Sequence, residues 1–236
     1  MRVMALDTTS RAGSVALVDD GRIVDERSGD GSRTHGERLP GELQALGVEW
    51  SSVDVFAVAI GPGSFTGLRI GIAAVQGLAL VSKRPVAGVS ALEALAQIAS
   101  RELGEGEIVA SWIDAQRGEV FSALHRVTNA PIFTPERLSE LEGPIVATPA
   151  ATITAWSAYD LRQMTFAGDG AVRYAQVIAT AESPARMAGP VLLAGAVGCM
   201  ATICAERGLT VPPGAIHPLY LRRPDVEIHR ERAVVR

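Results

Sequence analysis

Residues 61–67 read Gly-Pro-Gly-Ser-Phe-Thr-Gly, between an apolar run at 53–60 and a helix-compatible segment. Strand, glycine-rich loop and helix is the arrangement that turns backbone N–H groups toward an anion. The candidate nucleotide or anion residues are Asp7, Thr8, Gly61, Gly63, Ser64 and Asp114. Both common phosphate fingerprints are nevertheless missing. A P-loop has Lys-Ser/Thr after its last glycine, where Leu68-Arg69 stand here. The dinucleotide pattern is GxGxxG, and this loop is GxGxxxG. Ser64 lacks a nucleophile elbow, because Pro62 and Thr66 replace the flanking glycines. Asp7 and Asp114 each end an apolar strand beside a polar turn, where a two-lobed ATPase holds metal and phosphate. Aspartate capping of the turn is the competing reading and the favoured one. His35 has Leu39 four residues on, so the helical pair of a two-His metal site is missing. His125, His217 and His229 stand apart from any acidic or cysteine cluster, and no metal site is expected.

The same loop also reads as the start of a packing helix. Gly63, Gly67 and Gly71 are spaced by four, a stripe without side chains where another backbone can approach closely. From residue 70 to residue 81 the one strongly polar side chain is Gln76. A helix apolar all round must be covered on every side. A neighbouring helix at 34–46 places Leu39, Leu43 and Leu46 on one stripe that could extend the surface. The candidate partner-binding residues are therefore Leu39, Leu43, Leu46, Gly63, Gly67, Leu68, Gly71, Ile72, Val75 and Gln76. The alternative is that both helices are simply internal.

The elements around these residues alternate strand and helix. Strands are expected at 3–6, 14–18 and 23–27, the last two joined by an Asp20-Gly21 turn. Thr34 and Glu37 form a capping box for the first helix, which contains Pro40 and should bend there. A short strand at 86–89 leads through a second box, Ser90 with Glu93, to a helix ending near residue 103. Residues 107–124 then echo residues 2–17: an apolar strand ending in aspartate, a polar turn with a glycine, and a second strand. A strand near 166, a helix at 171–181 and a buried helix at 191–205 complete the second half. The expectation is a duplicated α/β fold of two lobes, 1–103 and 104–236, the last helix (about 190–206) returning to the first lobe.

The chain has 236 residues, 47% hydrophobic and 20% charged, with net charge −4. That composition excludes a disordered protein. No stretch clusters Lys and Arg, which argues against strong autonomous nucleic-acid binding. The basic tail at 222–232 is interrupted by Asp225, Glu227 and Glu231 and reads as solvated surface. Cys199 and Cys204 would face different sides of one helix, which argues against a disulfide. With no signal-peptide pattern and a longest apolar run of about 15 residues, a cytoplasmic protein without a membrane span is expected.

Six blocks carry a family resemblance: residues 4–9 (MALDTT), 34–40 (THGERLP), 61–71 (GPGSFTGLRIG), 114–120 (DAQRGEV), 168–170 (GDG) and 218–222 (PLYLR). In this order they strongly resemble the bacterial TsaB family, and the central block is the specific one. The resemblance implies an actin/hexokinase/Hsp70-like fold in two lobes. It also implies a role in making N6-threonylcarbamoyladenosine in tRNAs that read ANN codons. In that pathway the catalytic subunit is TsaD, which binds metal through a His-xxx-His helix. TsaE is an ATPase, and TsaC-type enzymes make the threonylcarbamoyl-adenylate donor. TsaB pairs with TsaD through first-lobe helices, lacks that His pair, and is not itself the enzyme. No cofactor of its own is implied, although nucleotide at the complex interface is compatible with this role. In isolation the same surface could make a homodimer. The rival readings are an ATP-dependent kinase or ATPase using Asp7 and Asp114, and a peptidase acting on TsaD.

Overall fold

The computed structural model describes residues 1–179, 186–189 and 191–222. The expectations for residues 180–181 and for the tail beyond residue 222 lie outside them. Strands β1 (Arg2–Asp7), β2 (Ser14–Asp19) and β3 (Arg22–Ser28) form an antiparallel meander. β4 (Val55–Gly61) and β5 (Val86–Ser90) add in parallel, giving the order β3-β2-β1-β4-β5. The second sheet contains β6 (Ile108–Asp114), β7 (Val120–Val127), β8 (Leu138–Ala147), β9 (Met164–Ala167) and β10 (Arg186–Ala188). Its order, β8-β7-β6-β9-β10, repeats the first strand for strand, with the same parallel and antiparallel neighbours. Asp7 and Asp114 thus end equivalent strands. The hairpin echo in the sequence belongs to a duplicated two-lobed α/β architecture.

The first half contributes helices α1 (His35–Ala45), α2 (Phe65–Ser82) and α3 (Ala91–Ala99). The second contributes α4 (Pro149–Ala155), α5 (Asp169–Arg173), α6 (Ala175–Ala179) and α7 (Ala194–Glu206). Val3, Met4, Ala5 and Leu6 of β1 are fully buried, as the central strand of a sheet covered on both faces requires. Met4 and Leu6 join the cluster of Leu39, Leu43, Ile72 and Val75 from α1 and α2. Val3 and Ala5 face the other way, where α7 lies across β1, β2 and β4. α3 meanwhile packs on β6 of the second sheet and on α7. One apolar cluster therefore runs from the first sheet through α7 and α3 to Ile113, Phe121 and Ala123 of the second. On the second sheet's other face, Trp112 meets Phe166 edge to face at 5.4 Å beside buried Trp156.

Local signals account for the element ends. Glu37 accepts hydrogen bonds from the Thr34 backbone N–H (2.9 Å) and hydroxyl (2.7 Å), closing the expected box. α1 continues past Pro40 without a break. Three elements went unanticipated, β8, α4 and β10. Ser139, Glu140, Glu142, Gly143 and Pro144 spoil the alternation of β8, and α4 is only 7 residues long. The helix expected at 171–181 is two short helices meeting at Tyr174. Among the described residues the longest apolar helix is α2. By length and composition α2 could cross a membrane. It is instead the crossover between the parallel neighbours β4 and β5, with Leu68, Ile72, Val75 and Ala79 buried beneath it.

His125 of β7 is 4% exposed, and its buried Nδ1 has no hydrogen-bond partner among the described residues. Burial pushes its pKa down to about 4. The unfolded chain gains this proton near pH 6.5, so stability is full above that pH and falls as pH drops toward 4. The loss is at most about 3 kcal/mol. Urea unfolding at about pH 7 and about pH 4.5 should show a smaller acid loss for His125→Phe than for the unmodified chain. Equal losses would contradict this assignment.

Candidate functional site

The glycine loop is filled by the chain itself. Each stripe glycine lies against the turn that follows β1: a Cβ on Gly63 would stand 2.5 Å from the Thr9 Cβ. On Gly67 it would stand 2.1 Å from the Thr8 carbonyl oxygen, and on Gly71 2.2 Å from the Thr8 Oγ1. The Ser64 N–H donates to the Thr9 carbonyl at 2.8 Å, and the Ser64 hydroxyl accepts from the Gly67 N–H at 3.2 Å, capping α2. On the far side of the loop, the Leu219 N–H donates to the Ile60 carbonyl at 2.7 Å. A Cβ on Gly61 would be 2.8 Å from the Leu219 carbonyl oxygen. The backbone expected to approach the stripe is therefore residues 8–9 of this same chain.

The two aspartates serve their own turns. Asp7 accepts from the Thr9 N–H at 2.8 Å and from the Thr9 hydroxyl at 2.5 Å. Its burial raises the carboxyl pKa, and the Thr9 bonds oppose that rise. Asp114 repeats the arrangement, accepting from the Gln116 N–H (3.1 Å) and side-chain amide (2.8 Å), with Arg173 at 3.5 Å. His35 braces the first turn, its Nε2 3.0 Å from the Ser10 carbonyl oxygen and its Nδ1 2.7 Å from the Arg38 guanidinium. Arg38, itself buried, donates to the Arg11 and Ala12 carbonyls and pairs with Glu42. The expectation of an open anion cradle at Gly61, Gly63 and Ser64 is corrected on this geometry, because Thr8, Thr9 and Leu219 occupy it.

The expected partner-binding set needs a second correction. Leu39, Leu43, Leu46, Leu68, Ile72 and Val75 are each 8% exposed or less, inside the chain's own core. Gln76 donates to the Ile216 carbonyl at 3.3 Å. The outward stripe of α2 consists of Thr66, Arg69, Ala73, Gly77, Leu80 and Val81, with Ile70 and Ala74 half-buried along its edges. Leu80 and Val81 are 71% and 85% exposed. Pro40, Gly41, Gln44 and Ala45 of α1 are also exposed. At the first turn of α2, the Phe65 and Tyr220 rings lie 5.0 Å apart, and the Arg69 guanidinium lies 4.0 Å above Phe65. Residues 216–222 reach this point along α2 and continue to the second lobe, where Arg222 donates to the Ala115 carbonyl and pairs with Glu119. Phe65, Arg69 and Tyr220 were missed in the sequence. An arginine as the one charge on an 18-residue apolar helix was the available signal.

The glycines of α2 separate into two kinds, which a pair of substitutions should distinguish. Gly71→Ala drives a methyl into Thr8 and should cost about 1–3 kcal/mol. Gly77→Ala, with nothing within 4 Å of the added carbon, should stabilise the helix by up to about 1 kcal/mol. Urea unfolding of both variants checks the pair. Similar stability changes would contradict the seating of the turn on the stripe.

Comparison with known proteins places this geometry. The family model described as TsaD, tRNA N6-adenosine threonylcarbamoyltransferase, matches residues 30–228. The tRNA threonylcarbamoyladenosine biosynthesis protein TsaB of Escherichia coli is 42% identical over 127 residues, 52% of this chain and 54% of that protein. Its Haemophilus influenzae counterpart is 39% identical over 127 residues, 51% of this chain and 52% of that protein. The matched region thus spans about half the length of these curated relatives. The solved structure of YeaZ from Pseudomonas aeruginosa superposes with a TM-score of 0.71 at 33% identity, covering 93% of this chain and 99% of that one. A second Pseudomonas aeruginosa structure, described as an uncharacterized protein similar to peptidase YeaZ, gives 0.75 at 33% identity, covering 94% and 99%.

Proposed function

This chain belongs to the TsaB/YeaZ family, and on that premise we propose that it is a non-catalytic subunit of the machinery that makes N6-threonylcarbamoyladenosine in tRNA. Its partner in this reading is TsaD, the catalytic subunit. TsaE joins the pair, and tRNA is held by the assembled complex in the cytoplasm. The observation that carries the proposal is the outward stripe of α2, uncovered and apolar from Ile70 to Val81. Pro40, Gly41, Gln44 and Ala45 of α1, a helix in contact with α2, are exposed as well. A contiguous exposed apolar face of this kind serves association. The small side chains of Ala73 and Gly77 allow a partner helix to come close. In the absence of TsaD the same face would pair two copies of this chain.

The rival ATPase or kinase reading needs Asp7 and Asp114 free to hold metal and phosphate. Both carboxylates instead accept bonds within their own turns, and the glycine loop between them is filled. For the peptidase reading, Ser64 is committed as the cap of α2. Nucleotide held between this chain and TsaD, without turnover by this chain, remains compatible with the proposal.

Ala73→Arg places a long charged side chain on the outward stripe and leaves the core side untouched. The purified variant should unfold at the same temperature as the unmodified chain and fail to co-elute with TsaD in size-exclusion chromatography. Reconstituted tRNA modification should fall to the level seen when this chain is left out. A variant that co-elutes normally would overturn the docking assignment.

A further inference from the structure

Arg69 is the only charged residue of α2, and its guanidinium is held by two aromatic side chains. The group lies over the Phe65 ring at 4.0 Å, and its Nε donates to the Tyr220 hydroxyl at 3.0 Å. Tyr220 is in turn fixed against Phe65, its ring tilted by 31°, and by its neighbours in the chain. Leu219 bonds the end of β4, and Arg222 bonds the second-lobe turn. The two terminal nitrogens of Arg69 make no hydrogen bond or ion pair with the described residues. An arginine side chain ordinarily loses considerable rotamer freedom when it is captured. Here the stack has already restricted it, and what faces outward is a planar fork whose terminal donors are unused among the described residues.

Such a fork matches a planar, bidentate acceptor. We infer that Arg69, held by Phe65 and Tyr220, receives a carboxylate side chain of the protein that docks on α2, pairing with it at the edge of the apolar stripe. This inference rests on the proposed docking role of that face. A carboxylate is favoured over a phosphate of nucleic acid because the stripe running on from Arg69 is apolar: Ile70, Ala73, Ala74 and Gly77. An acidic residue beside an apolar partner surface meets both the fork and the stripe. Charge-paired contacts next to a dry core are where arginine contributes most to an interface.

Calorimetric titration of the full-length chain with TsaD tests the pairing. Arg69→Met keeps the aliphatic stem over Phe65 and removes the fork. It should weaken binding by about tenfold or more and flatten the dependence on added salt. Arg69→Lys should remain weak, because an ammonium cannot make the bidentate contact. Tyr220→Phe should give a smaller loss, since it frees the guanidinium without removing it. Unfolding temperatures of the three variants should match the unmodified chain. Unchanged affinity of Arg69→Met, alongside loss of binding by Ala73→Arg, would overturn the inference and leave the docking role standing. Unchanged affinity of both variants would overturn the docking role as well. Loss of tRNA retention by the assembled complex with unchanged TsaD affinity would assign the fork to a phosphate, and would also overturn it.

Discussion

The seating of the Thr8–Thr9 turn on the glycines of α2 is the contact on which the rest of this structure depends. At Gly63, Gly67 and Gly71 the turn comes closer than any side chain would allow. That closeness fixes the rotation of α2 about its axis. Leu68, Ile72, Val75 and Ala79 point at the sheet, and Ala73, Gly77, Leu80 and Val81 point away. It also fills a loop whose glycine-rich composition suits a phosphate. The turn is held from its other side by α1, through His35 on Ser10 and Arg38 on Arg11 and Ala12. The turn therefore joins α1, α2 and the end of β1 into one packed unit.

The duplicated sheets give that unit a stiff support. α7 of the second half covers the first sheet, and α3 of the first half packs on the second. The two lobes consequently share an apolar cluster, where independent domains would each close their own core. A nucleotide-driven enzyme of two lobes opens and closes a cleft around its ligand. Here the equivalent strand ends carry aspartates that bond within their own turns, and residues 216–222 tie α2 to the second lobe. A fold of that kind suits the presentation of a fixed surface.

Much of this was legible in the sequence. The capping boxes, the β1–β2 hairpin and the strand–loop–helix at 53–81 follow local rules of period and capping, and the echo of residues 2–17 in 107–124 revealed the duplication. The resemblance carried by GPGSFTGLRIG pointed to the right family. The orientation of α2 was not legible. A helix apolar all round has no polar face to mark its outward side, so the bulky stripe of Leu68, Ile72 and Val75 was assigned to a partner when it belongs to the core. The residue pairs that settle the matter are distant in sequence: Thr8 with Gly71, and Arg69 with Tyr220, 151 positions apart. No local pattern records such contacts. β8 escaped for a different reason, since its exposed edge carries the charges and the proline that strand patterns exclude.

The central proposal is that this chain contributes a surface and no chemistry. The most direct measurement is the rate of tRNA threonylcarbamoylation by the reconstituted complex, with Asp7→Asn and Asp114→Asn introduced together in this chain. Asparagine retains the oxygen that caps each turn and removes the charge that metal or phosphate chemistry would need. The account predicts the rate of the unmodified complex. A rate lost while the complex still assembles would contradict it and return the aspartates to a catalytic role.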